Sequence, residues 1–402
     1  MIAFVARDEH PAHLHFLRKY IGTILILVLL TVVIYIGEVL TPSLLGDEWG
    51  ILGTYIDQSG PPCPKLAITA RLFEGCWMPF VYRVAGLNPQ AFHTAGMLVT
   101  LTSAILLLLA LDILLPEWPA YNGAVAIIFL VIPADMARLW LAGHIIFTTM
   151  LFLLAICFMA LFWRDGRWWA WLAGMVIIGL SLNYYESTVG VIIALSVLAG
   201  LFGRHRTQLQ RLSLLAPAVL AALYAIGRWY WQTVVGTAYG HATDNVTFAP
   251  GDLLERLSFG AGYTLRKSWL DPMLDWLQTK PGAGMSAVGE TILLAAVVLL
   301  PMMAVYGLFR ATRPAEPAGS VRARRRDLAI AAAVGFVVLI AGYFPVILAS
   351  YPGTGYSASR LHNLPTIGAA LVIGAGMFAL GLWMGRTPSR ARAIALPALR
   401  RR

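Results

Sequence analysis

Charged residues are scarce in this chain. They make up only 12% of the 402 residues, whereas hydrophobic residues make up 59% and the mean hydropathy is +0.72. A soluble domain carries about 25% charged residues. The balance therefore excludes an ordinary soluble domain and predicts a membrane protein that crosses the bilayer several times.

Several motifs of soluble enzymes are also missing. The chain has no GxGxxG, P-loop, nucleophile-elbow or HExxH sequence, which argues against a soluble nucleotide-sugar site. It has three cysteines and no CxxC spacing. Cys63 and Cys76 share one predicted loop, and Cys157 lies in an apolar run. A disulfide between the first two requires that their loop face an oxidising compartment.

Apolar runs long enough to cross a bilayer dominate the rest of the chain. They predict an all-α fold of about ten transmembrane helices with no soluble domain left over. The first run is about 20 residues long, too long for the core of a signal peptide, so we expect a retained helix. The predicted spans are 20–40, 91–115, 122–134, 140–163, 168–184, 187–203, 213–235, 287–309, 328–349 and 365–385.

The basic residues predict the orientation of these helices. With both termini in the cytoplasm, two thirds of the 30 lysines and arginines lie in cytoplasmic segments, as the positive-inside rule requires. Most of the carboxylates then lie on the outer side. The segments of this single membrane domain, 1–402, are a cytoplasmic N-tail 1–19, outer loops 41–90 and 236–286, a basic cytoplasmic loop 310–327 and a basic cytoplasmic C-tail 386–402.

Both long outer loops contain apolar and aromatic residues at helical spacing. This pattern predicts interfacial helices within 64–84 and 249–278. The basic tails could instead bind nucleic acid in a soluble protein, but the apolar runs beside them favour the membrane.

An acidic pair follows the first predicted span. Asp47 and Glu48 lie in "GDEW", an arginine-bearing segment comes next, and "GLNPQAFH" at 86–93 opens the second span. This order resembles the GT-C superfamily of glycosyltransferases, which includes the protein O-mannosyltransferases and their TMTC-type relatives. Two later stretches fit the resemblance, the one at 132–155 and "LSLNYYEST" at 180–188. The Arg-Pro pair common in that first loop is not intact, because Pro79 and Arg83 are separated.

The resemblance implies a reaction. GT-C enzymes transfer a sugar from a polyprenyl-phosphate donor to an acceptor on the outer face of the membrane, commonly with inversion. The first-loop acid is the general base that takes the proton of the acceptor hydroxyl, which implies this role for Asp47. Glu48 would orient the acceptor or help to hold the site. The alternative is that both acids cap a short interfacial helix.

The lipid phosphate that leaves in such a reaction needs cationic donors. Arg360 and His362 precede the last span, in "YPGTGYSASRLHNLP", and the guanidinium of Arg360 suits phosphate oxygens. Arg228 lies inside the seventh span near its outer end, where an ionisable group is costly and marks a cavity or a partner. Both arginines could instead anchor their helices at the interface.

Four further residues are candidates for a sugar or acceptor site. Glu186 and Tyr185 occupy the outer turn between the fifth and sixth spans, and Arg138 and His144 the turn between the third and fourth. Glu186 could instead form a buried ion pair, Arg138 could pair with Asp135, and His144 could be an interior histidine.

No cofactor is required for this chemistry, although acids near a phosphate leave Mg²⁺ or Mn²⁺ open. The expected partners are a polyprenyl-phosphate sugar, membrane lipids and an acceptor that the sequence does not name. A transporter or flippase of a lipid-linked sugar would use the same charges, and a non-catalytic relative of the superfamily is a third alternative.

Overall fold

A computed structural model gives the fold of most of the chain. It describes residues 12–40, 76–132, 143–202, 207–230, 234, 249–268, 318–349 and 362–384. All regular secondary structure within these ranges is helical, and no strand occurs among them. This confirms the all-α class.

The described residues form eleven α-helices and two short helical turns. The α-helices are α1 (Ala12–Val39), α2 (Trp77–Ala85), α3 (Pro89–Leu114), α4 (Pro119–Val131), α5 (Gly143–Asp165), α6 (Trp168–Tyr184), α7 (Val189–Phe202), α8 (Gln208–Tyr230), α9 (Pro250–Gly262), α10 (Ala318–Ala349) and α11 (Asn363–Met384). A 3₁₀ turn, Glu186–Thr188, precedes α7, and a π-helical turn, Tyr263–Lys267, follows α9.

Six of these helices are long and apolar enough to cross a membrane: α1, α3, α5, α8, α10 and α11. Three others are apolar but shorter, namely α4, α6 and α7. The 17 residues of α6 extend over roughly 26 Å at 1.5 Å per residue, slightly less than the roughly 30 Å of a bilayer core. The structure therefore supports a multi-pass membrane protein with six candidate spans in the described part.

The start of α3 illustrates how the sequence sets a helix boundary. The side chain of Asn88 accepts a hydrogen bond from the backbone N–H of Gln90 at 3.1 Å, and Pro89 occupies the first position of the helix. An asparagine cap satisfies an N–H group that has no partner within the helix, and proline at this position has no N–H to satisfy. Gly86 before it has φ +65°, a conformation that glycine adopts without strain.

Contacts between helix termini show that the helices alternate in direction. Near the start of α1, Lys19 Nζ lies 2.5 Å from Asp112 Oδ1 at the end of α3. Tyr20 OH donates to the same carboxylate oxygen at 2.9 Å, and Asn122 Nδ2 near the start of α4 donates to Tyr20 OH at 3.2 Å. These residues define the Lys19 end of the helix bundle.

The same end collects the termini of α5 to α8. Gln210 at the start of α8 donates to the backbone oxygens of Phe162 and Trp163 near the end of α5. Trp171 Nε1 near the start of α6 donates to Ser213 O at 2.9 Å. Since α6 and α8 both begin at this end, their last residues lie at the opposite side of the bundle.

That opposite side is the His362 end, defined by the first residues of α11. Thr149 Oγ1 near the start of α5 donates to Asn363 Oδ1 at 2.7 Å. The antiparallel pair of α10 and α11 places Gly342, near the end of α10, against Pro365. Gly190 at the start of α7 contacts Ala341 of α10.

The pair of α10 and α11 packs backbone against backbone. A Cβ atom at Gly368 would overlap Leu339 N and Gly335 O of α10, and one at Gly335 would lie 2.6 Å from Leu371 Cβ. Only glycine allows helices to approach this closely, as small residues do at interfaces between membrane helices. This close approach fixes the position of α11, whose first residues define the His362 end.

The predicted spans differ from the helices mainly at their ends. The helix predicted at 328–349 begins ten residues earlier, at Ala318, and the one predicted at 213–235 is Gln208–Tyr230. In both, the helix continues into polar residues that the apolar pattern excludes. The predicted spans at 122–134 and 187–203 are the short helices α4 and α7, and the one at 287–309 lies outside the described residues.

Candidate functional site

The His362 end holds a buried cluster of polar side chains. Tyr343 of α10 is in contact with His362, with its OH 2.5 Å from the imidazole Nδ1, and it donates to the backbone oxygen of Gly260 at 2.8 Å. Thr264 Oγ1 of the π-helical turn lies 2.5 Å from Tyr343 OH and 3.3 Å from His362 Nδ1. The side chains of all three residues are fully buried.

An aromatic stack completes this cluster. The ring of Tyr263 lies against the imidazole of His362, with centroids 4.6 Å apart and planes inclined by 33°. Burial raises the pKa of the Tyr263 phenol above its ordinary value, so the ring contributes an uncharged hydroxyl at neutral pH. We call Tyr263, Thr264, Tyr343 and His362 the His362 cluster.

The turn between α6 and α7 carries two predicted site residues. Tyr185 has an extended backbone, with φ −158° and ψ 127°, and this conformation ends α6 before the Glu186–Thr188 turn begins. Tyr185 is 9% exposed and Glu186 is half-buried. The turn packs against α5, α6, α7 and α10, so Glu186 lies between helices at the His362 end.

Buried hydroxyls lie in this turn and in the last turn of α6 before it. Ser181 and Thr188 are fully buried, and their hydroxyl oxygens have no hydrogen-bond partner in the ranges that the structure describes. The ring of Tyr184 packs on Phe147 with centroids 5.1 Å apart. The turn and the end of α6 therefore form a buried polar segment among apolar helices.

Arg228 lies in the last turn of α8, at the His362 end. Its side chain is half-buried, and its Nε atom is buried without a hydrogen-bond partner among the described residues. The next two residues, Trp229 and Tyr230, are 61% and 56% exposed, which is typical of an aromatic belt at a membrane interface. A cation at this depth is costly unless it faces a cavity or an anion.

The described site residues thus share one end of the bundle. Tyr185, Glu186, Arg228 and His362 all belong to helix termini at the His362 end, and α5 begins there at Gly143, next to His144. The backbone of His144 is part of α5, but its side chain is not described. Four other predicted site residues lie outside the described residues: Asp47, Glu48, Arg138 and Arg360.

Sequence reasoning missed Tyr343, Thr264, Thr149 and Asn363. The first two complete the His362 cluster, and the last two join α5 to α11. Each is a polar residue in an apolar setting. A tyrosine near a helix end is usually taken for an interface residue, so the sequence offered no signal that Tyr343 turns inward.

The cysteines have two different states. Cys76 is disulfide-bonded, whereas Cys157 is a free and buried thiol that donates to Leu106 O at 3.3 Å. Cys63, the third cysteine, lies outside the described residues. Within the described part of the chain, no group of three or more His, Cys, Asp or Glu side chains converges as a metal site would require. Comparison with protein-family models, with curated proteins and with solved structures finds no match for this chain.

Proposed function

We propose that this chain is a membrane glycosyltransferase of GT-C type, which moves a sugar from a polyprenyl-phosphate donor to an acceptor outside the cytoplasm. The observation that carries the proposal is Arg228, a half-buried cation at the end of an apolar helix, whose buried Nε makes no hydrogen bond within the described part of the chain. Such a group favours an anionic ligand that arrives through the lipid. A polyprenyl phosphate has this chemistry.

The phosphate of the donor would lie between arginines. A guanidinium can form two parallel hydrogen bonds to phosphate oxygens, which gives both energy and orientation. Arg228 is one such donor. Arg360 is a second donor predicted from the sequence, three residues before the start of α11 at Asn363. The two arginines would stabilise the negative charge that develops as the lipid phosphate departs.

The transfer itself is a single displacement. The acceptor hydroxyl oxygen forms a bond to the anomeric carbon of the sugar, and the bond between that carbon and the phosphate oxygen breaks. The electron pair leaves with the polyprenyl phosphate, the hydroxyl proton moves to Asp47, and Glu48 orients the acceptor. The attack comes from the side opposite the leaving group, which inverts the anomeric centre.

The sugar would rest against the turn between α6 and α7. Glu186 is half-buried between helices and Tyr185 precedes it. A carboxylate accepts hydrogen bonds from sugar hydroxyls, and a tyrosine offers both a ring face and a hydroxyl. Arg138 and His144 are further predicted contacts for the sugar or the acceptor.

Two features favour the His362 end as the outer face of the cytoplasmic membrane. The Lys19 end holds Lys19, Arg164 and Arg167, and the basic stretch 322–326 opens α10 on the same side, in agreement with the positive-inside rule. Cys76 precedes α2, which packs on α3 and α5, and it is disulfide-bonded. Disulfides persist in oxidising compartments.

The test is to incubate purified protein in lipid nanodiscs with a radiolabelled polyprenyl-phosphate sugar and with membrane extracts as the source of acceptor. We expect loss of label from the lipid and its appearance in a new product. Label that stays on a bound lipid would instead identify a transporter or flippase. Absence of binding would identify a non-catalytic protein. Asp47→Asn should abolish transfer and leave lipid binding unchanged, because it removes only the base.

Arg228→Gln tests the arginine that carries the proposal. We expect it to weaken binding of polyprenyl phosphate by about 10- to 100-fold, because a hydrogen bond to a charged group contributes about 1.5–3 kcal/mol. The matched control is Arg167→Gln, which removes a half-exposed arginine at the Lys19 end and should leave binding unchanged. Equal effects of the two substitutions would refute the role of Arg228.

A further inference from the structure

The hydrogen bonds of the His362 cluster determine which imidazole nitrogen carries a proton. Tyr343 has one hydroxyl proton, and it goes to Gly260 O, which can only accept. The oxygen of Tyr343 must then accept from its other neighbours. Thr264 Oγ–H therefore donates to Tyr343, and so does His362 Nδ1–H.

This order leaves Nδ1 committed to the protein. In a neutral imidazole one nitrogen donates and the other accepts, and the bond made by one sets the state of the other. With the proton on Nδ1, Nε2 carries the lone pair. Nδ1 donates in the protonated imidazole too, so its bond to Tyr343 does not depend on the charge of the ring.

The cluster joins three separate pieces of the chain. Tyr343 is on α10, His362 precedes α11, and Thr264 belongs to the π-helical turn after α9. These pieces are separated by 79 and 19 residues in sequence, counted from Thr264 to Tyr343 and from there to His362. The π-helical turn is rare, and such turns are frequent at functional sites.

The cluster also adjoins the Glu186–Thr188 turn, against which the sugar is proposed to rest. Two residues before Tyr343, Ala341 contacts Gly190, whose missing side chain lets the backbones of α10 and α7 touch. Gly190 follows the Glu186–Thr188 turn by two residues, and that turn packs on α10. A shift of Tyr343 would therefore move the helix that supports Glu186.

We infer that His362 is a positioning residue, which acts through its Nδ1–H bond to Tyr343, and that it does not bind the donor phosphate. It holds the ends of α10 and α11 and the π-helical turn as one unit beside the Glu186 turn. The inference deepens the proposed function and rests on it for the identity of the ligand. The hydrogen-bond order itself rests only on the residues of the cluster.

Two substitutions of His362 separate the alternatives. Asparagine has its amide nitrogen bonded to Cγ, where histidine has Nδ1, whereas glutamine places its amide where histidine has Nε2. We expect His362→Asn to keep the wild-type dissociation constant for polyprenyl phosphate within about twofold. We expect His362→Gln to raise it about tenfold, as expected for loss of one hydrogen bond, and Tyr343→Phe to raise it at least as much, because it removes all three hydrogen bonds of the Tyr343 hydroxyl. If His362→Asn is as damaging as His362→Gln, the inference is wrong.

A second buried tyrosine supplies the control for general destabilisation. Tyr121→Phe removes a hydrogen bond to Leu371 O between α4 and α11, away from the His362 cluster. It should lower the melting temperature of the protein and leave the dissociation constant unchanged. Equal weakening of lipid binding by Tyr121→Phe and Tyr343→Phe would show that only stability is at stake, and would overturn the positioning role.

The proton on Nδ1 can be read without any ligand. Solid-state ¹⁵N NMR of histidine-labelled wild-type protein, with His362 assigned through its neighbour Asn363, should show a protonated Nδ1. An unprotonated Nδ1 in His362 would overturn the inference. If the wild-type protein fails to bind polyprenyl phosphate, the proposed function falls, whereas the spectrum still decides the hydrogen-bond order.

Discussion

Gly368 and Gly376 lie on the same helix and predict opposite effects of one substitution. A Cβ atom at Gly368 would overlap two backbone atoms of α10 and lie 2.8 Å from a third, Leu339 Cα. At Gly376 a Cβ atom would meet nothing within 4 Å. Gly368→Ala and Gly376→Ala therefore add the same methyl group to the same helix, once into a backbone contact and once into open space.

The magnitudes follow from two terms. Overpacking costs about 1–3 kcal/mol, and the upper part of that range applies at Gly368 because backbone atoms cannot rotate away. Replacing a helical glycine by alanine contributes about 0.5–1 kcal/mol at either position. The net change is a loss of about 2 kcal/mol for Gly368→Ala and a gain of up to about 1 kcal/mol for Gly376→Ala. At about 2 °C per kcal/mol for a chain of this size, the melting temperatures should differ by about 6 °C.

Cys157 provides the assay. Its thiol is free and 4% exposed, so a fluorogenic thiol reagent reacts with it only when the bundle opens. Melting curves in detergent with this reagent should show Gly368→Ala below the wild type and Gly376→Ala at or above it. A shift of both variants in the same direction by the same amount would show that the backbones of α10 and α11 do not meet at Gly368.

Three further predictions concern other parts of the chain. Asp112→Asn should destabilise the protein by about 1–3 kcal/mol, because Lys19 and Tyr20 lose a charged acceptor; thermal melting measures it, and the exposed Glu255→Gln should have no effect. Trp171→Phe should lower stability by about 1 kcal/mol through the lost bond to Ser213 O, and a melting temperature equal to the wild type would contradict that bond. Thiol titration of the denatured wild-type protein should count one thiol without reductant and three with it, since Cys76 is disulfide-bonded and Cys157 is free; three thiols without reductant would contradict the disulfide.

The fold class could be read from the apolar runs because a bilayer leaves the backbone few choices. Inside lipid every N–H and C=O group must be satisfied within its own segment or by a neighbour, so a long apolar run becomes a helix. The span predicted at 168–184 coincides with α6, Trp168–Tyr184. The ends of other helices were missed where they continue into polar residues, as at Ala318 of α10, because hydropathy does not detect a helix outside the membrane.

The shared location of the candidate residues was also predictable in part. Counting spans assigned Glu186, Arg228 and His362 to one side, and the contacts between helix ends agree with that alternation. Their roles stay predictions. The sequence could not indicate that His362 contacts Tyr343, because α10 is apolar on all sides after its basic first turns and its pattern does not reveal which face meets α11.

The sequence by itself determined that the described part of the chain is a set of apolar helices, because a long apolar run that enters lipid must satisfy its backbone groups within the helix. The tertiary structure alone decided that Tyr343 turns inward to His362 and Thr264, and that Gly368 meets the backbone of α10. These contacts join residues far apart in sequence. They depend on the rotation and spacing of packed helices, which lipid does not dictate because it is as apolar as the side chains that line it.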